Sequence, residues 1–464
     1  MHGCSRPDPE GFWAAPKLRH ALDLEVVIPG SKSATARALV VAALSDGPST
    51  ITGGLDARDT QLMRDALRAL GVRIHTSFLY GSTSGEAFGT PGSDGAQPLA
   101  AGVWRVLPPA RFVSSGDIDC GLAGTVARFV LPITAMAEGR TYVHGDQAMS
   151  ARPIRPLLDA LIDLGAGIPD GAFGIPLTVT GRPDLPGGPV IIDSSASSQF
   201  VSGLLLSGSR FRHGLDLRHV GPTLPSLPHI QMTIDILREH GVRIEEPEPA
   251  HWVVAPGPVR AGDIAIEPDL STAAPFLAAA VVTDGTVRIP HWPLETNQPG
   301  ALLLPLLEQL GARVHLEPGP AGRTGTLSVT GPGHWDLDGF DVDLADASEL
   351  TPVVAALGVL TQGPSRIRGV GHIRGHETDR LAALEANFRS MGADVEQTED
   401  GLVFRPAVLH GGPWGAYADH RLAQAGALLG LVVSGVMIDD IGCTSKTMPS
   451  FPSAWWSLAT GTGR

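Results

Sequence analysis

The sequence predicts an α/β protein of two domains, built from repeated strand and helix units. One pattern recurs: a glycine turn into a β-branched strand, a polar loop, an amphipathic helix, and a second glycine before another strand. Five full copies place this second glycine at Gly71, Gly165, Gly241, Gly311 and Gly392, and the tail from residue 433 is a shortened sixth copy. Between the copies lie six almost wholly apolar helices, which indicates helices buried within a bundle.

The six apolar stretches predict the buried helices in chain order. They are ARALVVAALS, GTVARFVLPITAMA, SSQFVSGLLLSG, STAAPFLAAAVVT, ELTPVVAALGVLT and HRLAQAGALLGLVVS. The amphipathic helices that alternate with them carry apolar residues at helical spacing and end at the second glycine. A glycine suits that position because a helix C-cap often needs a positive φ.

A chain of 464 residues is longer than one hydrophobic core usually serves, which favours two domains. Six units divide into three and three, and a break near residues 250–268 gives comparable halves. The stretch from residue 81 to residue 98 is rich in Gly, Ser and Pro, so we expect a mobile loop and assign it no chemistry.

Composition excludes several classes of function. The net charge of −14 argues against nucleic acid or an anionic membrane as the main partner, because both would repel the chain. Cys4, Cys120 and Cys443 are widely separated, which predicts neither a metal cluster nor a disulfide framework. The sequence shows no apolar leader and no uninterrupted apolar span, so we expect a soluble cytoplasmic protein that needs no metal.

Polar residues concentrate where the apolar helices begin. They are Lys32 and Ser33, Gly124 and Thr125, Ser197, Ser198 and Gln199, Glu349, and Asp419, His420 and Arg421, all of which are predicted to precede their helices. A helix N-terminus offers N–H donors to an anion, and small residues let the backbone come close. N-capping explains any one serine or threonine equally well. Recurrence together with basic residues favours a phosphate or carboxylate site.

The basic candidates each have an ordinary structural alternative. They are Lys32, Arg37, Arg128, Arg152, Arg380, Arg421 and Lys446. Arg152 precedes a proline that can start a helix and could be a solvated charge. Glu377 and Arg380 are spaced for a surface ion pair, although His376 and Asp379 crowd four ionisable groups into five residues, which favours a functional site.

Seven separated motifs resemble those of the 5-enolpyruvylshikimate-3-phosphate (EPSP) synthases, and most closely those of actinobacterial members. They are PGSKSATARALVVAALSDG, GLAGTVARF, ARPIRPLLDALIDLGA, SSQF, RGHETDRLAALEANFRSMGADV, YADHRLA and GCTSKTMPSF, spread from about Leu22 to Trp456. The resemblance implies the two-domain enolpyruvyl transferase fold, an inside-out α/β barrel in which each domain holds three βαβαββ repeats. It also implies that residues 31–267 form an N-terminal-type domain inserted into a C-terminal-type domain of residues 1–30 and 268–464, closed by both chain ends.

The implied reaction moves the enolpyruvyl group of phosphoenolpyruvate to shikimate-3-phosphate and releases phosphate, with no metal or organic cofactor. Both substrates are anions, which explains cations at the mouth of an apolar helix. We expect a monomer that binds these two small-molecule substrates and, given its net charge of −14, has no nucleic-acid or membrane partner.

By similarity, most of the polar and basic candidates become ligands of one substrate or the other. Shikimate-3-phosphate would be held by Lys32, Ser33, Arg37, Ser197, Ser198, Gln199, His229, Glu349 and His376. Phosphoenolpyruvate would be held by Lys32, Gly124, Arg152, Gln199, Arg380, Arg421 and Lys446. The catalytic residues would be Glu349, which receives the hydroxyl proton with Lys32 as its electrostatic partner, and Glu377, which protonates the methylene.

Four positions depart from the better-known bacterial pattern of the family. Glu349 stands where many members have Asp, Leu122 replaces a common Asn, His229 a frequent Tyr and His376 a Lys. If His376 had to be cationic, affinity for phosphoenolpyruvate would weaken as pH rises.

The stretch that carries Gly124 also bears on inhibition. Family members with alanine at this glycine tend to exclude glyphosate, so the resemblance implies a glyphosate target, although Phe129 stands where proline is common.

Two other functions share part of this pattern. UDP-N-acetylglucosamine enolpyruvyl transferase would share the fold and the donor, but it usually carries asparagine after the first lysine, where this chain has Ser33. A phosphate-binding scaffold without catalysis would predict losses among Lys32, Glu349, Glu377 and Lys446, and all four are present.

Overall fold

The structure is a computed structural model that describes residues 11–18, 22–76, 102–320 and 322–460. The predicted loop at residues 81–98 lies outside the described residues. The chain divides into two compact units, one of Met1–Pro29 with Pro268–Arg464 and the other of Gly30–Glu267. We call them the terminal unit and the inserted unit.

The described residues form short strands and mostly short helices. The strands are β1 Trp13–Ala14, β2 Asp23–Glu25, β3 Ser49–Thr52, β4 Arg73–Thr76, β5 Val103–Leu107, β6 Asp117–Asp119, β7 Arg140–His144, β8 Leu177–Thr180, β9 Gly188–Ile192, β10 Leu215–His219, β11 Ile244–Glu248, β12 His251–Val254, β13 Asp263–Ala265, β14 Thr286–Pro293, β15 Arg313–Pro318, β16 Thr324–Thr330, β17 Asp341–Asp343, β18 Ser365–Arg368, β19 Asp394–Gln397, β20 Leu402–Arg405, β21 Gly412–Trp414 and β22 Val436–Ile438. The helices are α1 Lys32–Leu44, α2 Arg58–Ala69, α3 Gly124–Met136, α4 Arg155–Asp163, α5 Gln199–Gly208, α6 Leu227–Glu239, α7 Leu270–Val282, α8 Leu303–Gln309, α9 Thr351–Gly358, α10 Arg380–Ser390, α11 His420–Gly430 and α12 Phe451–Thr460.

Each unit contains three small sheets among its described strands. In the inserted unit their strand orders are β13-β3-β5-β4, β6-β7-β8 and β11-β12-β10-β9. In the terminal unit they are β15-β16-β14-β2, β17-β18-β20-β19 and β1-β22-β21. Every sheet combines one parallel pair with antiparallel pairing. This is the pairing that a βαβαββ repeat produces, because the first two strands need a helical crossover and the last two form a hairpin.

Strands from the chain's N-terminal segment complete two sheets of the terminal unit. β1 pairs antiparallel with β22, and β2 pairs parallel with β14. β13, from the end of the inserted unit, pairs parallel with β3 near its beginning. Each unit is therefore closed by segments that are distant in sequence.

The apolar helices form the centre of each unit, as the sequence predicts. In the inserted unit α1, α3 and α5 pack on one another, and in the terminal unit α7, α9 and α11 do the same. Their apolar side chains are almost completely buried, each set within the hydrophobic core of its own unit. Burial on all faces explains why these helices lack the polar stripe of α2 and α4.

The predicted glycine caps are confirmed. Gly71, Gly165, Gly241, Gly311 and Gly392 all have φ between 81° and 97°, a region that disfavours side chains. Among the described residues, no helix is both long and apolar enough to cross a membrane.

Candidate active site

Lys32 lies in the first turn of α1, and the expectation that it precedes the helix is wrong by a small margin. Ser31 is the N-cap, and its Oγ accepts a hydrogen bond from the backbone N of Ala34 at 3.4 Å. A cation in this turn is disfavoured by the positive end of the helix dipole. Asp59, in the first turn of α2, compensates, because its Oδ2 lies 3.4 Å from Lys32 Nζ.

Arg37 is buried one turn further along α1. Its guanidinium donates to Thr233 Oγ1 at 2.8 Å, to the carbonyl of Ser33 at 3.0 Å and to the carbonyl of His229 at 2.7 Å. Burial lowers the pKa of Arg37 to about 9. Arg37 therefore ties α1 to α6 and fixes the backbone of two other predicted ligands.

Gly124 opens α3 beside two arginines. A Cβ on this glycine would lie 2.3 Å from NH1 of Arg128 and 2.9 Å from NH1 of Arg152. The guanidinium of Arg152 donates from NH1 to the carbonyl of Leu122 at 3.1 Å. The missing side chain thus admits both guanidinium groups to one helix N-terminus, where the backbone N–H groups also favour an anion.

The start of α5 continues this cluster. Ser197 Oγ accepts from the backbone N of Gln199 at 3.3 Å, and Ser198 is the buried N-cap. Gln199 is the first residue of the helix rather than its predecessor, and its Oε1 accepts from NH1 of Arg128 at 3.0 Å. The structure therefore brings Gly124, Arg128 and Gln199 together in the inserted unit.

In the terminal unit, Glu377 is shared by two cations. Its Oε1 accepts from Lys446 Nζ at 2.8 Å and its Oε2 accepts from Arg380 NH2 at 3.0 Å. Arg380 also donates from Nε to Asp419 Oδ2 at 2.7 Å. Burial acts to lower the pKa of Arg380, but the carboxylates of Asp419 and Glu377 outweigh it and raise that pKa. The Glu377–Arg380 pair is thus part of a buried network and not a surface pair.

His376 faces the same guanidinium. NH1 of Arg380 lies 3.1 Å from His376 Nδ1. An arginine can only donate, so Nδ1 is the accepting atom of this contact. His376 therefore adds an accepting ring nitrogen to the network around Arg380.

Glu349 lies in a 3₁₀ turn, Ser348–Leu350, immediately before α9. Its Oε1 accepts from Ser271 Oγ at 3.2 Å, and Arg380 acts on it electrostatically. His372 contacts the same turn through Nε2, 2.9 Å from Ser348 Oγ. Burial lowers the pKa of His372 to about 4, with Glu349 opposing the shift and Arg380 adding to it.

Asp419 belongs to the network around Arg380, a contact that the sequence did not reveal. It caps α11, and its Oδ1 accepts from the backbone N of Arg421 at 2.9 Å while the same carboxylate holds Arg380. The position of Asp419 before HRLA predicts a helix cap, but no neighbouring residue predicts its contact with Arg380. His372, Asp59 and Thr233 were missed for the same reason, since each partner is distant in sequence.

Each unit therefore contains one group of charged and polar side chains. In the inserted unit the group lies at the starts of α1, α3 and α5, and in the terminal unit it joins the starts of α9, α10 and α11 to Lys446. Within the described ranges, no cluster of three or more His, Cys, Asp or Glu side chains is arranged to hold a metal ion. A family model described as EPSP synthase (3-phosphoshikimate 1-carboxyvinyltransferase) matches residues 17–455.

This chain belongs to the EPSP synthase family.

A curated relative from Mycobacterium ulcerans (strain Agy99), named 3-phosphoshikimate 1-carboxyvinyltransferase, is 47% identical over 456 residues, which is 97% of this chain and 98% of that protein. The resemblance drawn from the seven motifs is confirmed by these two matches. Membership of the EPSP synthase family also favours this assignment over the UDP-N-acetylglucosamine enolpyruvyl transferase alternative.

Solved structures support the fold. The EPSP synthase of Acinetobacter baumannii aligns with a TM-score of 0.75 at 21% identity, over 97% of this chain and 98% of that one. The enolpyruvyl transferase NikO of Streptomyces tendae aligns with a TM-score of 0.71 at 19% identity, over 96% of each chain. The predicted two-domain enolpyruvyl transferase fold is therefore confirmed.

Proposed function

We propose that this EPSP synthase family member transfers the enolpyruvyl group of phosphoenolpyruvate to the 5-hydroxyl of shikimate-3-phosphate and releases phosphate. This is a step of the shikimate pathway to chorismate and the aromatic amino acids. The family match over residues 17–455 and the relative at 47% identity support the reaction. The structural observation that carries it is Glu377, a carboxylate bound by both Lys446 and Arg380.

The proposed ligands fall into two sets, as similarity to the family implies. Shikimate-3-phosphate is bound by Lys32, Ser33, Arg37, Ser197, Ser198, Gln199, His229, Glu349 and His376. Phosphoenolpyruvate is bound by Lys32, Gly124, Arg152, Gln199, Arg380, Arg421 and Lys446. The closeness of Arg128 and Arg152 to Gly124, and of Lys446 and Arg380 to Glu377, supports anion binding at these positions, because cationic donors converge there.

The chemistry requires a base and an acid. The 5-hydroxyl loses a proton as its oxygen bonds to C2 of phosphoenolpyruvate, and the methylene carbon C3 gains one. Glu349 is the proposed base, and its carboxylate reaches one methylene further than an aspartate would. Glu377 is the proposed acid. Lysine and arginine side chains stabilise the tetrahedral intermediate. When its C–O bond breaks, phosphate leaves with the electron pair and C3 returns its proton to Glu377, which restores the double bond.

Glu377 must acquire a proton before it can act as the acid. Its two oxygens accept from Lys446 and Arg380, an arrangement that favours the ionised carboxylate. An anionic substrate that draws these cations to itself would weaken their hold on Glu377. Protonation of Glu377 is thereby coupled to binding of phosphoenolpyruvate.

We also infer that the protein is cytoplasmic and monomeric, and that glyphosate inhibits it. The sequence supports the location through its three scattered cysteines. Gel filtration with light scattering would test the monomer, since a mass near 48.3 kDa is expected.

A phosphate-release assay tests the proposed reaction. Purified protein is incubated with phosphoenolpyruvate and either shikimate-3-phosphate or UDP-N-acetylglucosamine. We expect phosphate release only with shikimate-3-phosphate. Release only with the second acceptor would replace the proposed substrate, and release with neither would refute the proposed activity.

A further inference from the structure

Arg128 has no role in the proposed ligand sets, yet it lies at the centre of the cluster in the inserted unit. Only 3% of the residue is exposed. Its NH1 donates to Gln199 Oε1 at 3.0 Å and its NH2 donates to the carbonyl of Pro153 at 3.0 Å. Its guanidinium carbon also lies 5.3 Å from the centre of the Phe200 ring. One side chain thus links α3, the start of α5 and the segment that follows Arg152.

The contact with Gln199 fixes which way that amide points. A glutamine amide has one accepting and one donating end, whereas a guanidinium only donates. The atom of Gln199 that faces Arg128 must therefore be Oε1, and the Nε2 amino group must point to the other side. Rotating the amide by half a turn would place two donors against each other, which a buried guanidinium disfavours strongly.

The direction of this amide decides what Gln199 can bind. With Nε2 directed away from Arg128, the side chain offers N–H donors, which attract phosphate or carboxylate oxygens. With the amide reversed, it would offer an acceptor that repels the same oxygens. Gln199 is only partly buried, so a ligand can reach it.

We propose that Arg128 is a positioning residue that locks the Gln199 amide as a donor to an oxyanion of the substrates and holds the segment carrying Arg152. This inference rests on the proposed function, in which Gln199 and Arg152 bind phosphoenolpyruvate. The Arg128–Gln199 contact also depends on Gly124. A Cβ at residue 124 would lie 2.3 Å from NH1 of Arg128, the atom that donates to Gln199.

A double-mutant cycle tests this inference. Arg128→Met and Gln199→Met are made singly and together, and kcat and the KM for phosphoenolpyruvate are measured with thermal unfolding. We expect Arg128→Met to raise this KM about 10-fold or more, the range for losing a hydrogen bond to a charged group. In the Gln199→Met background the same change should raise KM by only about 2-fold, because the amide that Arg128 orients is absent.

Arg64→Met is the matched control. Arg64 is also a buried arginine beside an aromatic ring, with 4% exposure and its guanidinium carbon 4.7 Å from the centre of the Trp104 ring. Its loss should lower the melting temperature and change KM equally in both Gln199 backgrounds. Arg128→Lys serves if Arg128→Met does not fold, since one ammonium group cannot occupy both fork positions of the guanidinium.

The outcomes separate the inference from the function on which it depends. If wild type releases phosphate and Arg128 substitutions raise KM equally with and without Gln199, Arg128 does not act through this amide and the inference is overturned. If Arg128→Lys likewise raises KM equally with and without the Gln199→Met substitution, the inference is overturned in the same way. A wild-type protein that releases no phosphate would refute the proposed function itself, and the inference with it.

Discussion

Nζ of Lys446 lies 2.8 Å from Oε1 of Glu377, while NH2 of Arg380 lies 3.0 Å from the other oxygen of the same carboxylate. The lysine follows the glutamate by 69 residues, so the contact depends on the fold and not on local spacing. Only 14% of the Glu377 side chain is exposed, which limits screening by water. The proposed acid is thus held by Lys446 and Arg380, which are also proposed ligands of phosphoenolpyruvate.

Replacing Glu377 by glutamine should separate turnover from binding. Glutamine keeps the shape of the side chain but cannot deliver a proton to the methylene, so kcat should fall about 100-fold or more. The KM for phosphoenolpyruvate should not rise, because Lys446 and Arg380 lose a competing anion. Steady-state phosphate release measures both constants.

Glu385→Gln is the control for this prediction. Glu385 lies on α10 and pairs with Arg389 at 2.9 Å, outside the proposed ligand sets. Its substitution should leave kcat nearly unchanged. Near-normal kcat in Glu377→Gln would show that another group supplies the proton.

Lys32→Ala should abolish most turnover while the fold survives. The substitution breaks the contact with Asp59, and because both side chains are largely buried, the melting temperature should fall while the fold is retained. Loss of a cation near the developing charge should lower kcat about 100-fold or more. Circular dichroism and phosphate release on the same sample test both parts.

Lys17→Ala controls for the removal of a lysine, since Lys17 is exposed. It should change neither signal. Retained activity in Lys32→Ala would mean that this lysine serves only the local structure of α1.

The sequence predicts the repeats well because their signals are local. Apolar runs and glycine positions depend on neighbours within a few residues, and the structure confirms both. Contacts between distant residues carry no such signal: Arg37 reaches the His229 carbonyl across 192 residues, and Arg380 reaches Asp419 across 39. The motif around Glu377 therefore suggests a crowded charged site, but its partners come only from the fold.

Gly124→Ala should weaken binding of phosphoenolpyruvate. The new methyl group would lie 2.3 Å from NH1 of Arg128 and 2.9 Å from NH1 of Arg152, so both guanidinium groups must shift. Because these are the ends of flexible side chains, the fold should tolerate the change, and alanine favours a helix over glycine. We expect a KM for phosphoenolpyruvate raised several-fold with an unchanged melting temperature. Gly257→Ala, where no atom lies within 4 Å of the added Cβ, is the control.

Glyphosate should inhibit wild type in competition with phosphoenolpyruvate, and Gly124→Ala should be less sensitive than wild type. The physical reason is the same crowding beside Arg128 and Arg152. Inhibition constants for the two proteins, determined at several phosphoenolpyruvate concentrations, test the prediction. Equal constants would show that the space at Gly124 does not admit the inhibitor.

His372 should make the fold sensitive to acid. Burial lowers the pKa of this imidazole from 6.5 to about 4, opposed by Glu349 and reinforced by Arg380. Between these two values the unfolded chain binds the proton and the folded chain does not, so the free energy of unfolding falls as pH is lowered through this window. Above pH 6.5 both states are neutral and the contribution vanishes.

His372→Gln should flatten this part of the stability profile, because glutamine can still hydrogen bond to Ser348 but does not titrate. Urea unfolding of wild type and variant is measured at intervals from pH 7 to about pH 4, and the difference between the two free energies is plotted against pH. Carboxylates that titrate in the same window cancel in that difference. His410→Gln, at an exposed histidine, should leave the wild-type slope intact. If the profile of His372→Gln runs parallel to that of wild type, His372 does not charge in this window, and other groups account for any loss of stability in acid.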